Sequence, residues 1–272
     1  MRRAFLSPWA MVATLVAIAP SHAQGSPPAA APRQSDTLTH RLAVDATHIQ
    51  PAQFLYRLTL QRDSAITPLG DQRFVITTLD YAGTPALLLA RDGMQGVAAT
   101  SDSLVVRRDD LRPLHWVDVH GAASVAAEFT ADSIFGAMTS PLGKQNVVLP
   151  NRGDILVNAM AVDAVLSSLP LASAWRDSAT LLVVDARGGV LTPATLAVEG
   201  EEQVTVPAGD FDCWIVSVES ERGAERVWVS KQGQVVVRAE QILPQLGGAT
   251  LARVLVQNDS SALIPSSARL PH

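Results

Sequence analysis

Apolar and polar positions alternate along short stretches of this chain. In Phe54-Leu55-Tyr56-Arg57-Leu58-Thr59-Leu60 the residues Phe54, Tyr56, Leu58 and Leu60 share one face of an extended segment, with Arg57 and Thr59 on the other. That period of two is the mark of a β-strand covered on one side. The same pattern predicts strands at 73–80, 84–91, 103–107, 114–119, 125–130, 133–138, 180–185, 190–199, 211–219, 225–230, 234–241 and 250–256. Gly, Pro, Asp and Asn punctuate them, as in Asp92-Gly93, Gly188-Gly189 and Ala208-Gly209-Asp210. A strand every ~10–15 residues favours an antiparallel meander over alternating βαβ units.

One stretch departs from this period. Residues 154–169, Asp154 to Leu169, read as a helix that Asp154 caps and Pro170 stops. Asn158, Asp163, Ser167 and Ser168 make only a narrow polar stripe on it, so most of its circumference must be buried. One greasy helix among many strands predicts a mainly β (α+β) fold, a curved antiparallel sheet or half-barrel wrapping one central helix. Outside that domain, assigned to residues 35–257, lie a Pro/Ala-rich spacer at 24–34 and a flexible tail at 258–272.

The start of the chain carries an address. Arg2 and Arg3 precede the apolar run Ala10–Ala19, Pro20 breaks it, and Ser21-His22-Ala23 supplies the small residues of a peptidase site. A secretory signal cleaved after Ala23 is expected, and with it export to the periplasm or the medium. The run is about half the ~20 residues that span a bilayer, so the mature chain is expected to have no transmembrane span. Removing residues 1–23 leaves 19 Lys and Arg against 26 Asp and Glu, a net charge of −7. Such a chain is a poor partner for nucleic acid or for anionic membranes. Apolar residues make up 47% of the sequence and charged ones 17%, which supports a sizeable core. Cys213 is the single cysteine, so no intrachain disulfide forms, and it reads as a small buried hydrophobe.

Residues 204–241 are the most patterned. Val204-Thr205-Val206 leads through Pro207-Ala208-Gly209 into Phe211–Val218, and Ser230-Lys231-Gln232-Gly233 then joins Arg226–Val229 to Gln234–Glu240. Trp214, Val216 and Val218 face one way and Phe211, Cys213 and Ile215 the other, so this strand should be central and covered on both sides. The run VPAGDFDCWIVSVES…RVWVSKQGQVVVRAEQ resembles a family of exported bacterial β-proteins classed as a domain of unknown function. Asp102 to Leu114, DSLVVRRDDLRPL, is similar to that family's upstream strand pair. The resemblance spans about residues 100–256 and implies an architecture similar to periplasmic lipoprotein carriers, a curved sheet with an apolar concavity. It implies no catalytic residues.

Chemistry-bearing residues are sparse. His115 and His120 stand five apart, on opposite faces of a strand, and cannot share a metal. Asp109 and Asp110 read as a charged turn, Glu199, Glu201 and Glu202 around Gly200 as a solvated hairpin tip, and Arg152-Gly153-Asp154 as the start of the helix. No Gly-x-Ser-x-Gly, Ser-x-x-Lys, His-Glu-x-x-His or phosphate loop occurs. No cofactor and no metal site are expected. The leading expectation is therefore a non-catalytic binding module of the cell envelope, with a lipid, an acyl chain or a hydrophobic protein segment as partner. Its candidate lining residues are Trp116, Phe129, Phe135 and Met138 from the strands, Met160 and Leu166 from the helix, and Trp214 and Trp228 from the patterned segment. An envelope assembly protein stands second. An exported hydrolase using Asp109, Asp110, His115 or Glu128 stands third.

Overall fold

The structure is a computed structural model. It describes residues 41–259 except 96, 97, 142, 153, 154, 158, 186, 187, 222 and 234. The expected signal segment, the spacer and the tail beyond residue 259 lie outside the described residues. Fifteen strands make one sheet. The first eight are β1 (Ala52–Arg62), β2 (Ala65–Tyr81), β3 (Thr84–Gln95), β4 (Ala98–Arg107), β5 (Pro113–His120), β6 (Ala123–Phe129), β7 (Ser133–Ser140) and β8 (Gly143–Pro150). A two-residue strand β9 (Ile155–Leu156) and the helix α1 (Ala159–Leu166) follow. The second run is β10 (Arg176–Asp185), β11 (Gly188–Val206), β12 (Gly209–Ser220), β13 (Gly223–Ser230), β14 (Val236–Leu243) and β15 (Ala249–Asp259).

In space the order is β8-β7-β6-β5-β4-β3-β2-β1-β15-β14-β13-β12-β11-β10-β9. Two meanders thus meet where β1 pairs with β15, and every pairing is antiparallel except that of β9 with β10. This order forces the sheet to curve. Strand β9, at one edge, follows β8, at the other, after only residues 151–154. Fourteen strand spacings laid flat would measure about 67 Å, whereas five residues of extended chain reach about 18 Å. The two edges must therefore stand close together. Side chains seal the approach: a methyl added at Gly189 of β11 would lie 2.9 Å from Val147 Cγ1 and 3.1 Å from Leu149 Cδ1 of β8. Within the first meander, Gly136 lets β7 ride tight on β6, since a methyl there would stand 2.0 Å from the Ala126 carbonyl oxygen.

All thirteen expected strands are present, most of them longer than expected. Asp92-Gly93 lies inside β3 rather than at a break. The turn at Pro207-Ala208 leads into Gly209, whose φ of +131° a side chain would resist. Three expectations need correction. The helix runs over Ala159–Leu166 rather than from residue 154, because Ile155 and Leu156 instead pair with Thr180 and Leu181 of β10. An open strand edge next to β-favouring residues outweighs helical period there. The expected cap, Asp154, lies outside the described residues, as does the Gly153-Asp154 half of the tripeptide. Strand β8, Gly-Lys-Gln-Asn-Val-Val-Leu-Pro, was not expected, since its polar first half hides the alternation. Glu199, Gly200, Glu201 and Glu202 are no hairpin tip. They lie within the nineteen-residue β11, which shifts register against β12 between Val198 and Gly200.

Candidate functional site

Residues directly opposed in antiparallel strands point to the same face, so the register assigns each side chain to a side. One face carries Leu255, Tyr56, Phe54, Phe74, Leu89, Leu104, Trp116 and Ala127 in succession across β15 to β6. Continuing the other way, it carries Ala239, Val227, Val216 and Val198 on β14 to β11. Most of these residues are buried, and α1 packs against this face at β3. Met160 through Leu166 are all buried, so the whole circumference of α1 is covered, as its composition requires. Residues 41–50 are tied to the end of this helix: the Asp45 amide donates to the Ser168 carbonyl at 2.9 Å.

Charges break into this apolar face. Arg253, between Leu251 and Leu255 on β15, donates from Nη1 and Nη2 to the two carboxylate oxygens of Asp163 on α1, at 2.5 and 2.8 Å. Its guanidinium lies 4.8 Å over the ring of Tyr56, and the Tyr56 hydroxyl donates to the Val236 carbonyl at 2.9 Å. Burial holds that phenol well above its usual range. Beside this cluster, Arg91 of β3 donates to Asp102 of β4 at 3.0 Å, and the Trp116 indole donates to the other oxygen of Asp102 at 3.0 Å. Burial pushes the Asp102 carboxyl up to about 6, with Arg91 opposing the shift and Asp118 adding to it.

Glu225 completes the group. It sits on β13 at the same parity as Val227 and Val229, opposite Val218 and Gln241. Burial pushes its carboxyl up to about 7; Arg253 and Arg91 oppose this and Asp163 reinforces it. Strands β3 and β13 are five spacings apart, about 24 Å along the sheet. Arg91 and Glu225 stand on the same face of the curved sheet, Arg91 opposite Phe74 and Glu225 in line with Val227. Glu225 is only partly buried while Val218 and Val227 beside it are buried.

Of the sequence candidates, Trp116, Phe129 and Met138 stand on the face that α1 covers, with Met160 and Leu166 on α1 itself, and all five are buried. Trp214 shares that face further along β12, with Lys231 4.2 Å from its ring centroid. Trp228 is on the opposite face, where Arg238 lies 4.7 Å over its ring and its indole donates to Glu202 at 2.7 Å. Phe135 is also on the opposite face and is 46% exposed. The acid/base candidates divide. His115 Nδ1 and Glu128 Oε1 are 2.7 Å apart, with the Tyr81 ring stacked on the imidazole and its hydroxyl 3.2 Å from Glu128 Oε2. Asp109 is bound by Arg107, and Asp110 lies 3.4 Å from Arg112. His120 approaches Asp118 on the face away from His115, as its spacing predicts. Cys213 is buried and its thiol is pushed up to about 11 by burial, then by Asp212 and Glu202.

The charged residues Arg91, Asp102, Asp163, Glu225 and Arg253 were not among the expected site residues. Their signal was legible: each strand member takes an inward position in an alternating apolar strand, as in Leu87-Leu89-Arg91 or Glu225-Val227-Val229. Among the described residues no helix is long and apolar enough to cross a membrane.

The chain is similar to several solved structures. One is a "putative lipoprotein" from Parabacteroides distasonis, with 12% identity and a TM-score of 0.31 over 78% of this chain and 96% of that one. Another is a "putative exported protein with YmcC-like fold" from Bacteroides fragilis, with 14% identity and a TM-score of 0.28 over 78% and 96%. A third is a DUF1329 family protein from Desulfovibrio piger, with 9% identity and a TM-score of 0.27 over 81% and 89%. No curated protein matches. The family match begins well before residue 100, where the sequence resemblance was expected to fade. It covers residues 55–251, from the first strand of the sheet to the last, and by it the chain belongs to the family described as Protein of unknown function (DUF3108).

Proposed function

We propose that this chain is an exported, non-catalytic binding module of the cell envelope, whose curved sheet wraps α1 and holds a hydrophobic ligand against its inner face. The ligand is a lipid, an acyl chain or an apolar protein segment. The observation that carries the reading is the forced approach of the two sheet edges across residues 151–154, which turns one face inward. That face is lined by Trp116, Phe129 and Met138 and meets a helix with no exposed side. Apolar walls with a few convergent polar groups are the usual composition of a small-molecule site. Two measurements test it. The mature protein, purified from its native envelope, should begin at Gln24 and carry lipid detectable by mass spectrometry. It should also take up a fluorescent fatty-acid probe. A protein that is reproducibly empty and ignores the probe would sink the reading.

A second reading, assembly with another envelope protein, rests on Phe135 and Val148. They are paired across the last two strands at one sheet edge and are 46% and 74% exposed. Photocrosslinking from residue 148 in cells separates the two: a protein adduct supports assembly, and a lipid-loaded interior without one supports carriage.

A further inference from the structure

Strand β8 is a bare edge. It pairs with β7 alone, whereas β10, near the opposite edge, is met by β9. The Asn151 amide donates to the Asp132 carbonyl at 2.9 Å, so the odd-numbered residues of this strand bond toward β7. Alternation then turns the amides of Lys144, Asn146 and Val148 to the open side, with their carbonyls and that of Pro150. Among the described residues no backbone hydrogen bond reaches these three amides. Strand β11 approaches β8 on the inward side chains of Val147 and Leu149 and does not pair with it. On the outer face of the same edge, the exposed Val148 stands opposite the exposed Phe135.

A row of free amides and carbonyls specifies a β-strand as its occupant. Resting on the assembly reading, we propose that this occupant is β8 of a second copy of the chain, paired antiparallel about a twofold axis at Val147. Lys144 then lies opposite the partner's Pro150, and Asn146 opposite the partner's Val148. All three free amides of each copy meet a carbonyl, and Pro150, which has no amide, falls where only its carbonyl is used. Val148 and the partner's Val148 become diagonal neighbours, each beside a Phe135, so the exposed apolar side chains of both copies merge into one stripe. Charge agrees with this register. Lys144 is the one charged residue of β8, and the partner's Pro150 sits beside Ser133, next to the exposed Asp132. Sliding the pair by one step sets Lys144 opposite the apolar Val148 in one direction and opposite the like-charged Arg152 in the other. A twofold contact of this kind closes on itself and forms no filament.

Sedimentation velocity of the full mature chain tests this, and a dimer should be the main species at about 100 μM. Val148→Lys should raise the dimer dissociation constant at least tenfold. Its unfolding midpoint, measured at a dilution where both proteins are monomers, should match the wild type, because the side chain is exposed. The wild type supplies a readout that needs no variant: hydrogen exchange at Lys144, Asn146 and Val148 should slow as the protein is concentrated. Disulfide trapping reads the register. Residue 147 faces its own copy about 4.5 Å away at Cα, within disulfide reach, whereas residue 149 faces the partner's Gln145. Val147→Cys should therefore crosslink under mild oxidation and Leu149→Cys should not, with the wild type and its buried Cys213 as background. A monomer at every concentration, a dimer that survives Val148→Lys, or equal crosslinking at 147 and 149 overturns the β8 pairing. Photocrosslinking from residue 148 in cells separates this from the assembly reading. An adduct with a different protein overturns the second copy and leaves assembly standing, and the absence of any protein adduct overturns both.

Discussion

An acid held at about 7 costs the fold stability whenever it is ionised. Glu225 starts from 4.5 in the unfolded chain, so between those two values the native state binds more protons than the unfolded one. Stability therefore falls as pH rises from 4.5 through 7 and levels off above, with a full penalty of about 3 kcal/mol. Glu225→Gln removes this dependence. Urea unfolding at pH 5 and pH 8 should show the wild type losing about 2 kcal/mol more than the variant. Asp102, raised from 3.8 to about 6, acts in the same direction and remains in both proteins, so the difference between them isolates Glu225. A gap that does not change with pH would place Glu225 in contact with bulk water. The inward position of Glu225 is legible in Glu225-Val227-Val229, since alternation alone assigns the side. The charges that act on it are not, because Arg253, Asp163 and Arg91 come from β15, α1 and β3, far away in sequence.

At the scale of elements, the ion pair between Asp163 and Arg253 ties the helix to the sheet. Asp163 is nearly the only polar group on the buried part of α1, and Arg253 is its partner from β15. Replacing one member of a buried pair strands the other charge and typically costs 3–5 kcal/mol, whereas two apolar residues of similar size often cost nothing. Asp163→Ala should therefore lower the unfolding free energy by about 3–5 kcal/mol, and Asp163→Leu with Arg253→Met should recover most of it. A chemical-denaturation double-mutant cycle measures both; additive single effects would mean that the pair is not coupled. Elements with a clean period were legible: β1, with Phe54, Tyr56 and Leu58 inward, appears as the pattern predicts. Those set by neighbours were not. Ile155 and Leu156 fit a helix or a strand equally well, and the free edge of β10 settled the matter. In the same way Glu199, Glu201 and Glu202 look like a tip until Arg226, Lys231 and the Trp228 indole pair with them along β11.

The whole molecule depends on a seam. Edge strand β8 is held near β11 by Val147 and Leu149, which pack on the bare backbone of Gly189. A valine there has no space, and close-packed interiors do not yield to an inserted side chain without cost. Gly189→Val should part the seam without unfolding the middle strands. Hydrogen exchange should accelerate at Val147 and Leu149 while Leu87 and Leu104, fully buried on β3 and β4, keep their protection. Uniform exchange across the sheet would argue that the seam carries no separate stability. By itself the sequence determined the strands, the turns between them and the greasy helix, because those follow from the side-chain period of a few neighbouring residues. It also determined membership of a β-rich family, through turn and packing motifs. Only the tertiary structure decided that the sheet turns its edges together and that Arg91, Asp102, Asp163, Glu225 and Arg253 share one interior. The pairing of β1 with β15 and the return from β8 to β9 are contacts between distant segments, which no local period encodes.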